Sequence, residues 1–246
     1  MRPVDSHCHL DFENFDEDRD EVIGRAKDVL DFVVNAGSNF EHNEKSLELE
    51  SETDGFVVAN LGLHPTYTES FDEIDRIKKQ IRENDPVAIG EIGLDHHHVT
   101  ESESRDEQEK VFREMLDLAE ELGKPVVLHT RDAEKRTVEI LGEYDLKDVM
   151  LHCFNGAPEL AEEAVEKGYF IGVTTQVLYS NRVQEIVDRI GLEKLLLETD
   201  SPFLYRGERN EPVNVKESAE KIAEIKETNY EKVVEASTVN ARKIFR

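Results

Sequence analysis

Residues 125–129 read PVVLH, a short apolar run closed by an imidazole. A run this short, apolar at consecutive positions, buries both faces, as strands of parallel sheets do. Just upstream, Glu101–Leu122 carries Val111, Met115, Leu118, Ala119 and Leu122 at helical spacing. The same alternation spreads outward in both directions. On the N-terminal side lie VDSHCH from Val4, DFVVNAG at 31–37, GFVVANLGL at 55–63 and PVAIGEIGL at 86–94. On the C-terminal side lie DVMLHCF at 148–154, GYFIGV at 168–173 and KLLLETD at 194–200. Between them run longer amphipathic segments, such as Leu160–Lys167, which Gly168 stops. Eight such units in 246 residues predict an α/β fold, a (β/α)8 TIM-type barrel forming one unit over residues 1–246. An open doubly wound sheet is the competing arrangement. No GxGxxG loop follows the first run, so dinucleotide binding has no support.

In a barrel of this kind the active site gathers at the C-terminal ends of the strands. Reading only those ends gives His7 and His9 after the first run, His64 after the third and Glu91 in the fourth. His129 closes the fifth, His152 the sixth and Asp200 the eighth. Taken singly, each has a plain reading: HCH as polar residues on an exposed strand, His129 and His152 as satisfied buried imidazoles, Asp200 as a turn former. Taken at matching ends of one barrel they form a donor set. Imidazole with carboxylate suits Zn²⁺, Mn²⁺ and other first-row ions. His7, His9, His129 and His152 with the two carboxylates already exceed what one four-coordinate ion with an open position needs, and suit two ions sharing a carboxylate.

The chain has 56 acidic and 30 basic residues, a net charge of -26. Such a surface fits a protein adapted to high salt, where self-repulsion is screened, and equally an acidic mesophilic protein. It argues against a broad nucleic-acid-binding face, but not against a local site built around metal ions. Cys8 and Cys153 are the only cysteines, so no disulfide framework is expected. If His7, His9 and His152 face the barrel interior, both cysteines should turn away from it as small buried apolar residues. No run reaches membrane-spanning length and no apolar leader precedes VDSHCH, so a cytoplasmic protein without membrane contact is expected.

VDSHCHLDF, GLHP, IGEIGLD, LHTRDA, HCFNG, LLLETDSPFL, NEPVNV and NARKIF occur in that order from Val4 to Phe245. The set resembles the TatD family of metal-dependent deoxyribonucleases, within the amidohydrolase-like metal-dependent hydrolases. The resemblance implies two divalent ions per subunit (Mg, Mn or Zn), one held by His7, His9, Glu91 and Asp200, the second by His129 and His152, with Glu91 bridging. It implies hydrolysis of DNA phosphodiester bonds, commonly from the 3′ end, by a water that the metals activate and Asp200 orients or deprotonates. The expected partner is DNA, single-stranded or at 3′ ends, with RNA or aminoacyl-tRNA as further candidates, acted on by a monomer or weak oligomer. Some relatives act as D-aminoacyl-tRNA deacylases, so amide or ester hydrolysis is the alternative. A non-catalytic metal-binding barrel is the alternative of another class.

His64 matches the GLHP histidine and is expected to contact substrate. Arg131 follows His129 and could grip a phosphate through two parallel hydrogen bonds. Arg206 and Arg209, in the loop after Asp200, are expected to meet the nucleic-acid backbone. Asp95 matches a family position and is expected to hydrogen-bond to a metal ligand. The chain departs from the family after GLD: DHHHVTESES carries His96, His97 and His98 where relatives usually have an aromatic. That run reads as a solvated loop, with tuning of substrate contact or a weak extra metal site as the sharper options.

Overall fold

The computed structural model describes residues 1–246, and each of the eight apolar runs contains a strand. They are β1 Asp5–Cys8, β2 Val33–Ala36, β3 Val57–Leu61, β4 Ala88–Gly93, β5 Val126–His129, β6 Val149–Leu151, β7 Phe170–Val173 and β8 Leu195–Leu197. All pairings are parallel, and the strands neighbour one another in chain order. The sheet closes at its ends: Cys8 bridges Ser201, the His9 N–H donates to Ser201 O at 2.8 Å, and the Asp200 N–H donates to His7 O at 3.0 Å. A doubly wound sheet reverses its strand order and leaves two edges, so that alternative is excluded.

Helices fill every crossover: α1 Arg19–Val29, α2 Phe40–Glu52, α3 Ile74–Asn84, α4 Ser102–Leu122, α5 Glu134–Leu141, α6 Pro158–Glu166 and α7 Asn181–Arg189. After β8 come α8 Val215–Ile225 and α9 Tyr230–Phe245. Local chemistry marks their ends. The side chains of Asn39, Ser180 and Asn229 accept the N–H groups of His42, Val183 and Lys232, capping α2, α7 and α9. Pro158 opens α6, and Gly123, at φ 61°, ends α4 in the left-handed conformation. The periodic residues of α4 are the ones it buries, Val111, Met115, Leu118 and Ala119 among them.

Two apolar regions hold the barrel together. The larger, of 51 buried residues, lies between the sheet and its helices. The smaller fills the barrel interior with Val34, Val58, Val127, Met150 and Leu196, and the last turns of α9 pack Ala241, Ile244 and Phe245 against it. Each large side chain so buried stabilises the fold by roughly 1.5–3 kcal/mol. With one end filled by hydrocarbon, the polar inward residues all lie toward the C-terminal ends of the strands. There β3, β4 and β5 approach closely: a Cβ on Gly62 would stand 2.5 Å from the Gly90 carbonyl carbon, and one on Gly90 would stand 2.6 Å from Val127 O. These glycines let the backbones on either side of Glu91 come this close. No helix is long and apolar enough to cross a membrane.

Candidate metal centre

The closure of β1 on the segment after β8 brings residues 7 and 200 together, and four donor atoms converge there. His7 Nε2 and His9 Nε2 face each other at 3.3 Å. Glu91 Oε2 lies 3.3 Å from His7 Nε2 and 3.7 Å from His9 Nε2, and Asp200 Oδ1 lies 3.9 and 3.4 Å from the same atoms. Tetrahedral coordination with bonds of 2.0–2.1 Å separates ligand atoms by about 3.3 Å, so the spacing fits a divalent ion. The donor types fit as well. His9 Nδ1 lies 2.9 Å from the carbonyl of Ala36 and donates to it, which leaves a lone pair on Nε2 pointing inward.

Glu91 also reaches the other way. Its Oε1 stands 2.8 Å from His129 Nδ1, 3.4 Å from His64 Nε2 and 3.8 Å from His152 Nε2. His152 Nε2 in turn lies 3.5 Å from Asp200 Oδ1, and its ring stacks on His7 at 3.5 Å between centroids. One buried carboxylate therefore joins two groups of imidazoles. The structure brings together His7, His9, Glu91, His129, His152 and Asp200. It also brings in His64, whose Nε2 is 3.2 Å from His129 Nδ1. Expected at the substrate, His64 touches the cluster itself. The His64 N–H donates to Ser38 O and Thr66 Oγ1 lies 2.7 Å from Nδ1, which turns the ring inward.

The outward nitrogens are also held. His129 Nε2 pairs with Asp95 at 2.9 Å. His152 Nδ1 pairs with Glu198 at 2.9 Å. Burial works against charge on both imidazoles. Even so, hydrogen bonds to Asp95 and Glu91 push His129 up to about 9. The carboxylates of Glu198, Glu91 and Asp200 push His152 up to about 10. Glu91, despite its burial, is held well below the ordinary carboxylate range by the surrounding imidazoles. Near neutral pH the metal-free cluster thus carries protons that a cation must displace. Zn²⁺ or Mn²⁺ binding should release protons, and the apparent affinity should rise with pH until His129 and His152 titrate near 9–10. Calorimetric titration in buffers of differing ionisation enthalpy measures this, and a binding heat independent of buffer would contradict it.

The cluster forms the floor of a cleft at the C-terminal mouth of the barrel, lined in part by Phe12, Tyr67, Arg131, Arg182 and Phe203. Glu91 is only 2% exposed, whereas the Asp200 side chain is 15% exposed and meets the cleft. Arg131 lies on the cleft wall, exposed and without an ion pair. The structure places the other two predicted arginines elsewhere. Arg209 donates two hydrogen bonds to Asp18 at 2.7 and 2.6 Å and lies over the Phe15 ring, tying its loop to the start of α1. Arg206 sits exposed in the same loop and does not line the cleft.

His97 and His98 are exposed at the mouth, as a solvated loop implies, and Asp95 organises them. Asp95 accepts both their N–H groups, and its Oδ2 lies 2.9 Å from His98 Nδ1. His97 Nδ1 is 3.0 Å from Asp132, while His96 points its N–H to Arg131 O.

Cys8 is fully buried against the helix layer, its Sγ 3.4 Å from Val34 O, as expected. Cys153 corrects its expectation: it lines the cleft. β6 ends at Leu151, and Cys153 has φ 46°, so strand alternation no longer sets its direction. Burial and the nearby carboxylates of Asp200 and Glu198 push its thiol well above the ordinary range, which keeps it protonated.

Three residues of the site escaped the sequence reading. Glu198 stands two residues before Asp200, and the same alternation would have turned it inward. Asp5 precedes His7 by two and accepts the N–H and hydroxyl of Thr199 at 2.8 and 2.5 Å, bracing β1 against the segment after β8. Arg182, in α7, carries no local signal of its place on the cleft wall.

The chain is similar to known proteins over essentially its whole length. The family model described as TatD related DNase matches residues 4–246. A metal-dependent hydrolase of Methanocaldococcus jannaschii, MJ1582, is 38% identical over 251 residues, covering 100% of this chain and 98% of its own. The human deoxyribonuclease TATDN3 is 37% identical over 259 residues, covering 98% of this chain and 94% of its own. Among solved structures, the TatD homologue YJJV of Escherichia coli superposes with a TM-score of 0.88 at 28% identity, covering 99% of this chain and 98% of that one.

Proposed function

The chain belongs to the TatD related DNase family, and from that premise we propose that it hydrolyses phosphodiester bonds of DNA, removing nucleotides from 3′ ends. One observation carries the reading. A single buried carboxylate, Glu91, reaches His7 at 3.3 Å with one oxygen and His129 at 2.8 Å with the other, on the floor of an open cleft. His7, His9, Glu91 and Asp200 would hold one divalent ion, and Glu91, His129 and His152 a second. Such ions supply the Lewis acidity that lowers the pKa of a water and offsets charge on the phosphate oxygens.

The chain's own groups do the rest. Asp200 meets the cleft, and His152 and His9 hold its carboxyl below the ordinary range in spite of burial. As an anion at the reacting position, it accepts the proton of the attacking water. Ala36 O, Asp95 and Glu198 fix the rings of His9, His129 and His152 and set which nitrogen faces inward. Arg131 and Arg182 grip the phosphates on one wall. Most other arginines are committed: Arg25 to Glu211, Arg82 to Glu121, Arg113 to Glu143 and Arg189 to Glu159. The two that line the cleft form no ion pair, although Asp132 and Glu134 share the lining and Arg182 donates to Asn155 O at 3.2 Å, so guanidinium groups stand where an anionic substrate would sit.

Release of nucleotides from end-labelled DNA, with Mg²⁺, Mn²⁺ or Zn²⁺ across salt concentrations, tests the proposal beside deacylation of charged tRNA. Absence of DNA cleavage under every metal and salt condition would overturn it. Within it, Arg131→Ala should raise KM for DNA roughly 10- to 150-fold, the worth of hydrogen bonds to a charged group. Arg209→Ala should leave KM unchanged, since its exposed pair with Asp18 contributes at most about 1 kcal/mol, to the loop alone. Equal effects of the two substitutions would contradict this assignment.

A further inference from the structure

Phe203 is 46% exposed, and it alone of the exposed large apolar residues lines the cleft. An exposed apolar ring marks a contact surface only where it belongs to a patch, and the Phe203 ring does. It is not isolated. Its centroid lies 6.0 Å from that of Phe12 at an interplanar angle of 74°, so the two rings form a corner. Phe12 stacks on His9 at 4.7 Å and 23°, which seats the corner directly against the candidate metal ligands.

Strand order gives the corner its meaning. Phe12 follows β1 and Phe203 follows β8, which are neighbours across the closure. Arg131 follows β5, which lies opposite β1 in an eight-stranded ring. The cleft thus has an aromatic side and a guanidinium side, with Glu91 and Asp200 on the floor between them. A nucleotide has the same division, a flat base on one side of the sugar and an anionic diester on the other.

We propose that Phe12 and Phe203 form the stacking surface for one base of the substrate. This rests on the phosphodiester reading above and assigns the residues that contact the base at that site. A base inside a duplex has its faces covered and its edge paired, so it must be unstacked before it can reach the corner. A single strand offers the base face at no such cost, and aromatic stacking accepts any base.

The test crosses two Phe203 variants with two substrates in the metal-loaded enzyme. Phe203→Ala should raise KM for a single-stranded oligonucleotide roughly 5- to 150-fold, the range for loss of one base–aromatic stack. On an oligonucleotide with abasic residues at the reacting end, the same substitution should change KM little. Phe203→Trp should restore KM on the base-bearing strand. An independent readout is 2-aminopurine at the terminal position of an oligonucleotide with a non-hydrolysable terminal linkage. Its fluorescence should be quenched by the native protein and not by Phe203→Ala. Phe12→Leu should show the same pattern, with the Phe203 result decisive because Phe12 also supports His9. Equal effects of Phe203→Ala on base-bearing and abasic strands, or unchanged quenching, would overturn the inference while leaving the nuclease reading intact. Failure of the native protein to cleave DNA at all would overturn that reading and the inference with it.

Discussion

Glu91→Gln should lower kcat/KM on DNA by about a thousandfold or more, and metal retained after dialysis should fall with it. The side chain keeps its size, so the change is one of charge and donor strength. Glu91 reaches both imidazole groups, with Oε2 toward His7 and His9 and Oε1 toward His129 and His64. An amide presents one oxygen, so one of the two groups loses its anionic donor whichever way it turns. Loss of a Lewis-acid contribution of several kcal/mol corresponds to a rate factor of that size. Stability should respond in the same direction. In the metal-free protein the carboxylate is the counter-ion of His129 and His152, and removing one partner of a buried charged set costs about 3–5 kcal/mol. Saturating metal should raise the native melting temperature, because ligand at a thousand times Kd adds about 4 kcal/mol. That rise should shrink in Glu91→Gln. Metal analysis, thermal melts with and without chelator, and kinetics on labelled DNA provide the measurements. A variant that keeps full metal content and native rates would remove Glu91 from the centre of the site.

The same residue shows what was legible in the sequence. Strands buried on both faces are apolar at every position, so the runs around PVVLH and IGEIG announce themselves, and all eight contain strands. A charged or imidazole residue at the end of such a run must be satisfied or functional, which picks out His7, Glu91, His129, His152 and Asp200. Legibility stops where the strand stops. Cys153 lies past β6 in a left-handed conformation, and period-two reasoning sent it the wrong way. It also stops where partners are far apart along the chain. Arg209 looked free because Asp18, which holds it, is 191 residues away. Arg182 looked ordinary because only the folded ring of loops brings α7 to the cleft.

Glu198 escaped the sequence reading although its spacing from Asp200 points it inward, and its substitution has the second large expected effect. It is fully buried. Its Oε2 pairs with His152 Nδ1 at 2.9 Å, and its Oε1 accepts the Cys153 N–H at 2.7 Å. It therefore fixes both the orientation of His152 and the turn that follows it, while touching neither cleft nor substrate. Gly172, on the neighbouring strand, is matched to it: a Cβ there would lie 2.5 Å from Glu198 Oε1. Glu198→Gln replaces an anionic acceptor by a neutral one, so the His152 Nδ1–H loses the carboxylate that holds Nε2 toward the cluster and raises its basicity as a ligand. Loss of such an outer partner typically weakens metal affinity or activity 10- to 100-fold. The effect should appear in metal affinity and kcat, with KM for DNA little changed, because no phosphate-gripping side chain moves. Gly172→Ala should reproduce the pattern from the other side by displacing the same carboxylate, at a stability cost of about 1–3 kcal/mol from overpacking. Combining the two should give less than the sum of their effects, since both act through one hydrogen bond. Strict additivity of the pair, or a change confined to KM, would show that Glu198 does not act through His152.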